Sequence, residues 1–378
     1  MSHGELYSST SGPFRQGWEP AGWHYPGKVL SPARPSLATS PFLAACRGEQ
    51  TSHPPVWFMR QAGRSLPEYR EIRARVGFHE MITTPALAAE VTLQPVRRHG
   101  VDAAVFFSDI ITPVQAVVDG VSVETGKGPV IQHPFRSMAD IERLRPLNPA
   151  VDVPYVAEAI TRCCAELDPV GVPVIGFAGA PFTLATYLVE GGKSKEFAHT
   201  KALMYGETDV FDALMERLAE YAIASLTAQV QAGAAAVQLF DSWAGILNES
   251  DYRRFVLPHS ARIFGELSTL GVPMIHFGVG TGELLTAMAD AGPTIIGVDW
   301  RVSLSDARRR VPQHLGLQGN LDPVILLAPW RVVEERVRAL VAEGRRLGPS
   351  WICNIGHGVL PDTEPTVITR VVELVHSL

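Results

Sequence analysis

Two arginines four residues apart, Arg60 and Arg64, follow an apolar run in the stretch VWFMRQAGRSLPEYR (residues 56–70). Arginine stays protonated in protein sites and presents a planar fork matched to carboxylate, so such a pair can hold and orient a polyanion. At about 4 Å and an effective dielectric near 20, each contact is on the order of 4 kcal/mol before desolvation. The alternative is a structural ion-pair network with Glu68 and Glu71, of the weak surface kind. Arg70 and Arg73, three apart on the helix that Pro67 opens, read as solvated or paired, with Arg73 a secondary substrate-binding candidate.

Further candidates sit at the ends of other apolar runs. FFSDI places Asp109 beyond a strand, where a carboxylate needs a helix to cap, an arginine or a ligand donor. Arginines nearby predict a depressed pKa and an ionised group that stabilises a cation formed during reaction. A cap for a segment starting near Ile110 is the alternative. GFAGAPFTLATYLVEGG (176–192) puts Tyr187 nearly two turns into a helix, either reaching a site or packing a ring. FDSWAG gives Asp241, Ser242 and Trp243; with no G-x-S-x-G elbow, Ser242 reads as a hydrogen-bonding group rather than a nucleophile. NIGHGVLPDTEP sets His357 between two glycines, as in a tight turn that presents the ring. HFGVGTGELL has Gly278, Gly280 and Gly282 but Glu283 where a dinucleotide fingerprint wants glycine, and reads as a plain strand-to-helix turn. No metal-ligand motif is present, and convergence of His259, His276, Asp299 and His357 on an ion has little support.

These residues need a scaffold that brings strand ends together. Eight apolar, β-rich runs (56–59, 103–108, 172–178, 235–241, 272–278, 294–300, 315–320 and 351–356) alternate with helical segments. TPALAAEVTLQPVRRHG shows the helical signals well, with Thr84 as candidate cap, Pro85 in the first turn and Gly100 as a stop. Eight such units predict a single (β/α)8 barrel over residues 41–378, with its active-site cleft at the carboxyl ends of the strands. A doubly wound sheet is the alternative. Residues 1–40, rich in Ser, Gly and Pro, read as a flexible arm; Glu5 and Glu19 fit a transit peptide poorly.

Composition narrows the partners. The 378-residue chain is 46% hydrophobic and 19% charged, with a net charge of −6. That balance argues for a globular core and against nucleic acid or an anionic membrane surface. Four cysteines, irregularly spaced, read as reduced thiols in a cytoplasmic protein, and no run reaches the length of a membrane span.

PVWFMRQAGRSLPEYR and GFAGAPFTLATYLVEGG resemble the two signature stretches of the uroporphyrinogen decarboxylase family, and FFSDI, FDSWAG, HFGVG, LQGNLDP and NIGHGVLP fall in the family's order. The resemblance covers roughly residues 36–378. It implies a (β/α)8 barrel, usually a homodimer, that removes CO2 from the four acetate arms of uroporphyrinogen to give coproporphyrinogen in haem biosynthesis, with no metal or organic cofactor. By the same resemblance Asp109 contacts the pyrrole N–H groups, and Arg60 matches the residue proposed as proton donor. Arg60, Gln61, Arg64, Arg73, Tyr187, Ser242 and His357 match substrate-binding positions. The chain departs from the family's G-R-Y-L-P with Ser65 in place of tyrosine. The alternatives are a corrinoid-dependent methyltransferase of a related barrel family, disfavoured by the lack of a His-x-Cys element, and a non-catalytic tetrapyrrole carrier.

Overall fold

Buried apolar runs alternating with helices form, in a computed structural model of the chain, a curved parallel sheet; the structure describes residues 35–124 and 127–378. Its seven strands are β1 (Ala104–Val105), β4 (Val174–Gly179), β5 (Ala236–Asp241), β6 (Met274–Gly278), β7 (Ile295–Gly297), β8 (Gly316–Gln318) and β9 (Trp351–Ile352). They lie side by side in chain order, each pair parallel, so every connection crosses over through helix. Their residues are almost entirely buried, as a parallel sheet covered on both faces requires.

Seven of the eight expected runs become strands of this sheet. The first does not. Val56 makes only an isolated parallel bridge to Cys353: Trp57 N–H still reaches Cys353 O (3.3 Å), but the two backbone donors after it are taken by side chains, Phe58 N–H by Gln61 Oε1 (2.9 Å) and Met59 N–H by Asn354 Oδ1 (3.2 Å). The segment is nonetheless tied on both sides. Cys353 N–H donates to Pro55 O (2.9 Å) and Asp102 N–H to Val56 O (2.8 Å), just before β1. Inside the curve, Trp57 Nε1 donates to Gln318 on β8, and Gln318 Nε2 to Gln238 on β5, both at 3.0 Å.

A two-stranded antiparallel hairpin, β2 (Val121–Glu124) with β3 (Gly128–Ile131), stands apart from the main sheet and from the eight expected runs. Helix Pro85–His99 forms where expected, with Pro85 at its start and Gly100 left-handed at its end (φ 68°). Thr84 occupies the cap position, but its side chain makes no capping bond. Of the proposed arm, residues 1–34 lie outside the described residues. Pro35–Thr39 form a 3-10 turn, and Ser40 Oγ accepts from Leu43 N–H to cap helix Pro41–Cys46. Among the described residues no helix is long and apolar enough to cross a membrane.

Candidate active site

Arg60 follows directly from the way the first run is stopped. It takes a left-handed backbone (φ 60°), a conformation that costs a non-glycine residue energy and is held here by its neighbours. Met59 is fixed before it by Asn354 Oδ1 and by Val359 N–H to Met59 O (2.9 Å). Gln61 is fixed after it, its amide bridging Phe58 N–H and Ala103 O (2.9 Å each) with no surface exposed. Gln61 thus braces the loop and turns no polar atom to the cleft, although sequence had placed it among the substrate contacts.

The two glycines around His357 are explained by space, not by dihedral. Neither has a left-handed φ; a side chain at 356 would collide with the Trp300 backbone and one at 358 with the Arg60 methylenes. Arg60 therefore lies across Gly358 with its guanidinium directed at a group of three side chains. Its charge is felt by Asp109, Tyr187 and His357. No salt bridge joins Arg60 or Arg64 to a carboxylate among the described residues: Glu68, the alternative partner, pairs with Arg98 at 2.5 Å.

Asp109 follows β1 and accepts from Ile111 N–H (3.0 Å) just ahead of the short helix Thr112–Gln115, whose cap residue is Ile111 and whose first turn takes no side-chain cap bond. Its pKa corrects the expectation. Burial raises the carboxyl above its ordinary value, outweighing the Ile111 hydrogen bond and the Arg60 charge that lower it. Arginines can be counted in a sequence, whereas desolvation cannot. Tyr187, partly buried on helix Pro181–Glu190, packs edge-on to Trp243 with centroids 6.1 Å apart. Burial raises its hydroxyl, with the nearby Asp109 charge adding and Arg60 opposing.

His357 stacks on Trp300 at 6.1 Å and 7°. Burial, then the charges of Arg60 and Arg301, push its pKa down to about 4, so it is neutral at pH 7. Ser242 is partly exposed at the end of β5, while Asp241 beside it points the other way. Asp241 is fully buried, accepts from Thr183 Oγ1 (2.8 Å), and is raised by burial to about 7. Since Thr183 Oγ1 also accepts from Trp243 N–H (3.2 Å), Asp241 holds the turn that carries Ser242.

Arg64 and Arg73 belong to a neighbouring group. Both charges act on the Tyr69 hydroxyl, which burial raises against them. Arg73 also closes helix Pro67–Arg73 by donating to Val76 O (3.0 Å), the structural use weighed for it in sequence. His259, His276, Asp299 and His357 do not converge: His259 meets Asp212, and Asp299 is held by Gly280 N–H and Arg301.

Two features escaped sequence reading. Phe177, Phe240 and Phe277 on adjacent strands form an edge-to-face aromatic layer, with centroids 5.6 and 6.1 Å apart. The guanidinium of Arg301 covers the Trp300 ring at 3.8 Å, so a second cation sits beside His357. One phenylalanine in each of β4, β5 and β6 and the run DWR after β7 were the available signals.

A family model described as uroporphyrinogen decarboxylase (URO-D) matches residues 37–378. A uroporphyrinogen decarboxylase of Salinispora tropica is 57% identical, covering 90% of this chain and 91% of its own. Those of Thermobifida fusca and Streptomyces coelicolor are each 54% identical, over 90% and 92% of this chain and 94% and 98% of theirs. A solved methyltransferase from Methanosarcina mazei superposes with a TM-score of 0.75 over 90% of this chain and 98% of its own, at 21% identity, a likeness of fold alone. With the motifs, the strand-end cup and these relatives in agreement, the chain belongs to the uroporphyrinogen decarboxylase family.

Proposed function

We propose that this chain is a carboxy-lyase acting on uroporphyrinogen, converting its four acetate arms to methyl groups. The observation that carries the reading is a desolvated Asp109 carboxyl on which the charge of Arg60 acts, beside Tyr187 and His357, with no salt bridge to Arg60 among the described residues. A polycarboxylate with a ring of pyrrole N–H donors matches that set: its carboxylates meet Arg60, Arg64, Tyr187, Ser242 and neutral His357, and its N–H groups meet Asp109. Gln61 braces the arginine loop, and Arg73 supports the Arg64 side of the mouth.

The chemistry follows from charge. Protonation of the pyrrole carbon next to the one that bears the acetate arm makes the ring cationic; the electron pair of the breaking C–CO2 bond flows into it, CO2 departs to leave an exocyclic methylene, and a second proton on that methylene completes the methyl group as the added ring proton leaves. Asp109 stabilises the cation more than the neutral ring, which is the differential effect that catalysis needs. The raised pKa of Asp109 fits this use: a desolvated carboxylate gains most when a positive charge arrives.

We also infer that residues 55–57 act as the eighth stave, closing the sheet into a (β/α)8 barrel; their backbone bonds towards both β9 and β1 support it. A cytoplasmic homodimer completes the proposal, its oligomeric half tested by sedimentation of the purified chain. Anaerobic incubation with uroporphyrinogen tests the activity. Oxidised products carrying seven down to four carboxylates are expected, and tight binding without product would instead favour a tetrapyrrole carrier.

A further inference from the structure

At the amino ends of the strands, three residues far apart in sequence converge. His53 precedes the first run, Asp102 precedes β1, and His376 lies in the last turn of helix Pro365–Ser377. His53 Nε2 is 3.1 Å from Asp102 Oδ1, and His376 Nε2 is 2.8 Å from Asp102 Oδ2. The two imidazole rings approach to 4.2 Å between centroids. One ligand atom from each residue falls within a 4.8 Å span.

We propose that His53, Asp102 and His376 form a binding site for a divalent transition-metal ion, zinc by preference, distinct from the cleft and independent of the decarboxylase reading. Two imidazole nitrogens and one carboxylate oxygen are a common zinc donor set, and two nitrogen donors disfavour calcium or magnesium. The spacing is nearly right. Bonds of about 2.0–2.1 Å at tetrahedral angles set donors roughly 3.3 Å apart, a separation that adjustment of the rings inside the 4.8 Å span would reach.

The surroundings are those of a ligand set. Ser52 Oγ lies 3.0 Å from His53 Nδ1 and can accept its proton in the tautomer that a metal at Nε2 requires, the Nε2 proton that now meets Asp102 being displaced as the ion binds. Val56 N–H donates to Asp102 Oδ2 (2.7 Å), fixing the carboxylate and leaving Oδ1 for a metal. Burial by itself would raise the Asp102 pKa; hydrogen bonds from His376 and His53, then Val56 N–H, overcome it and hold the group ionised. The side chains of His53 and His376 are 23% and 29% exposed, so a water can fill a fourth position. The ion would join the segment before the first run, the entry to β1 and the C-terminal helix, with no part in the reaction.

The test uses the full chain, stripped of metal by a chelator and titrated with Zn2+ against a chromophoric competitor, then with Co2+ followed by its visible absorption. One saturable equivalent per chain and a tetrahedral Co2+ spectrum are expected in the wild type. His53→Gln and His376→Gln should each weaken binding at least about 100-fold, more than the 10–100-fold typical of outer-shell partners, with Ser52→Ala inside that lower range. His3 and His24 lie outside the described residues, so ions held there would persist in both variants. Absence of saturable binding, or equal binding in wild type and both variants, overturns the site. If a variant fails to fold in chelator, Zn2+-induced shifts of the His53 and His376 ring signals in the wild type decide: no shift also overturns it.

Discussion

At the carboxyl ends of the strands, Arg60 and Asp109 face one another with no salt bridge between them; at the amino ends, Asp102 sits in direct contact with two histidines and a backbone N–H. Both places bury a carboxylate, and burial pushes both upward. The outcome is opposite: Asp109 ends above its ordinary pKa and Asp102 below it. Desolvation is therefore common to both, and the number of hydrogen-bond donors already in place decides the result. The cleft leaves its carboxylate short of donors, which an incoming ring of N–H groups would supply. The opposite face satisfies its own.

The sharpest way to break this contrast is Asp109→Asn. Loss of the charge that meets the cationic ring should lower kcat about 10²–10³-fold. Because an ionised carboxylate with a raised pKa works against folding above its unfolded pKa, the variant should melt no lower than wild type at pH 7. Near-normal kcat would remove Asp109 from the chemistry. Next come Arg60→Ala and Arg64→Ala, each expected to raise KM about 10–100-fold, the loss of a charge-assisted hydrogen bond of about 1.5–3 kcal/mol. Unchanged saturation kinetics in both would end the anion-clamp reading.

Asp102→Asn should behave in the reverse manner. Stability falls by about 1–3 kcal/mol in denaturant titration, since a buried acceptor loses charge between two histidines, while kcat per folded molecule stays level. A fall in kcat at full stability would show that the two faces are not separate. The smallest effect concerns His357, whose pKa burial and the charges of Arg60 and Arg301 push down to about 4. A carboxylate bound beside it favours the imidazolium, so coproporphyrinogen should raise that pKa by about one unit, equivalent to about 1.4 kcal/mol, in an NMR titration. An unmoved value would mean that no ligand carboxylate reaches the ring.

What could be read from sequence divides along the same lines. The strand ends were legible because a parallel αβ repeat announces where strands stop, and Asp109, Ser242 and His357 follow those ends in the chain. Gln61 misled, since a polar residue between two arginines looks like a ligand group, and only the backbone path shows its amide spent on Phe58 and Ala103. The first run looked like the other seven; that side chains would intercept its donors depends on Asn354, in contact only after folding. The amino-end cluster carries no motif at all, as Asp102 stands 49 positions from His53 and 274 from His376. Local spacing rules are blind to such separations.

The bond from Met59 to Asn354 spans 295 positions. On a ribosome adding about 5–20 residues per second, the first run waits roughly 15–60 s for the partner that fixes it. Throughout that interval the loop bearing Arg60 lacks half of its anchors, and the apolar VWFM stretch has no β9 edge to meet. The mouth of the cleft is thus among the last parts of the molecule to be completed during synthesis, and a chain cut short before residue 353 would lack the groups that hold Arg60 in place however well its central strands had formed.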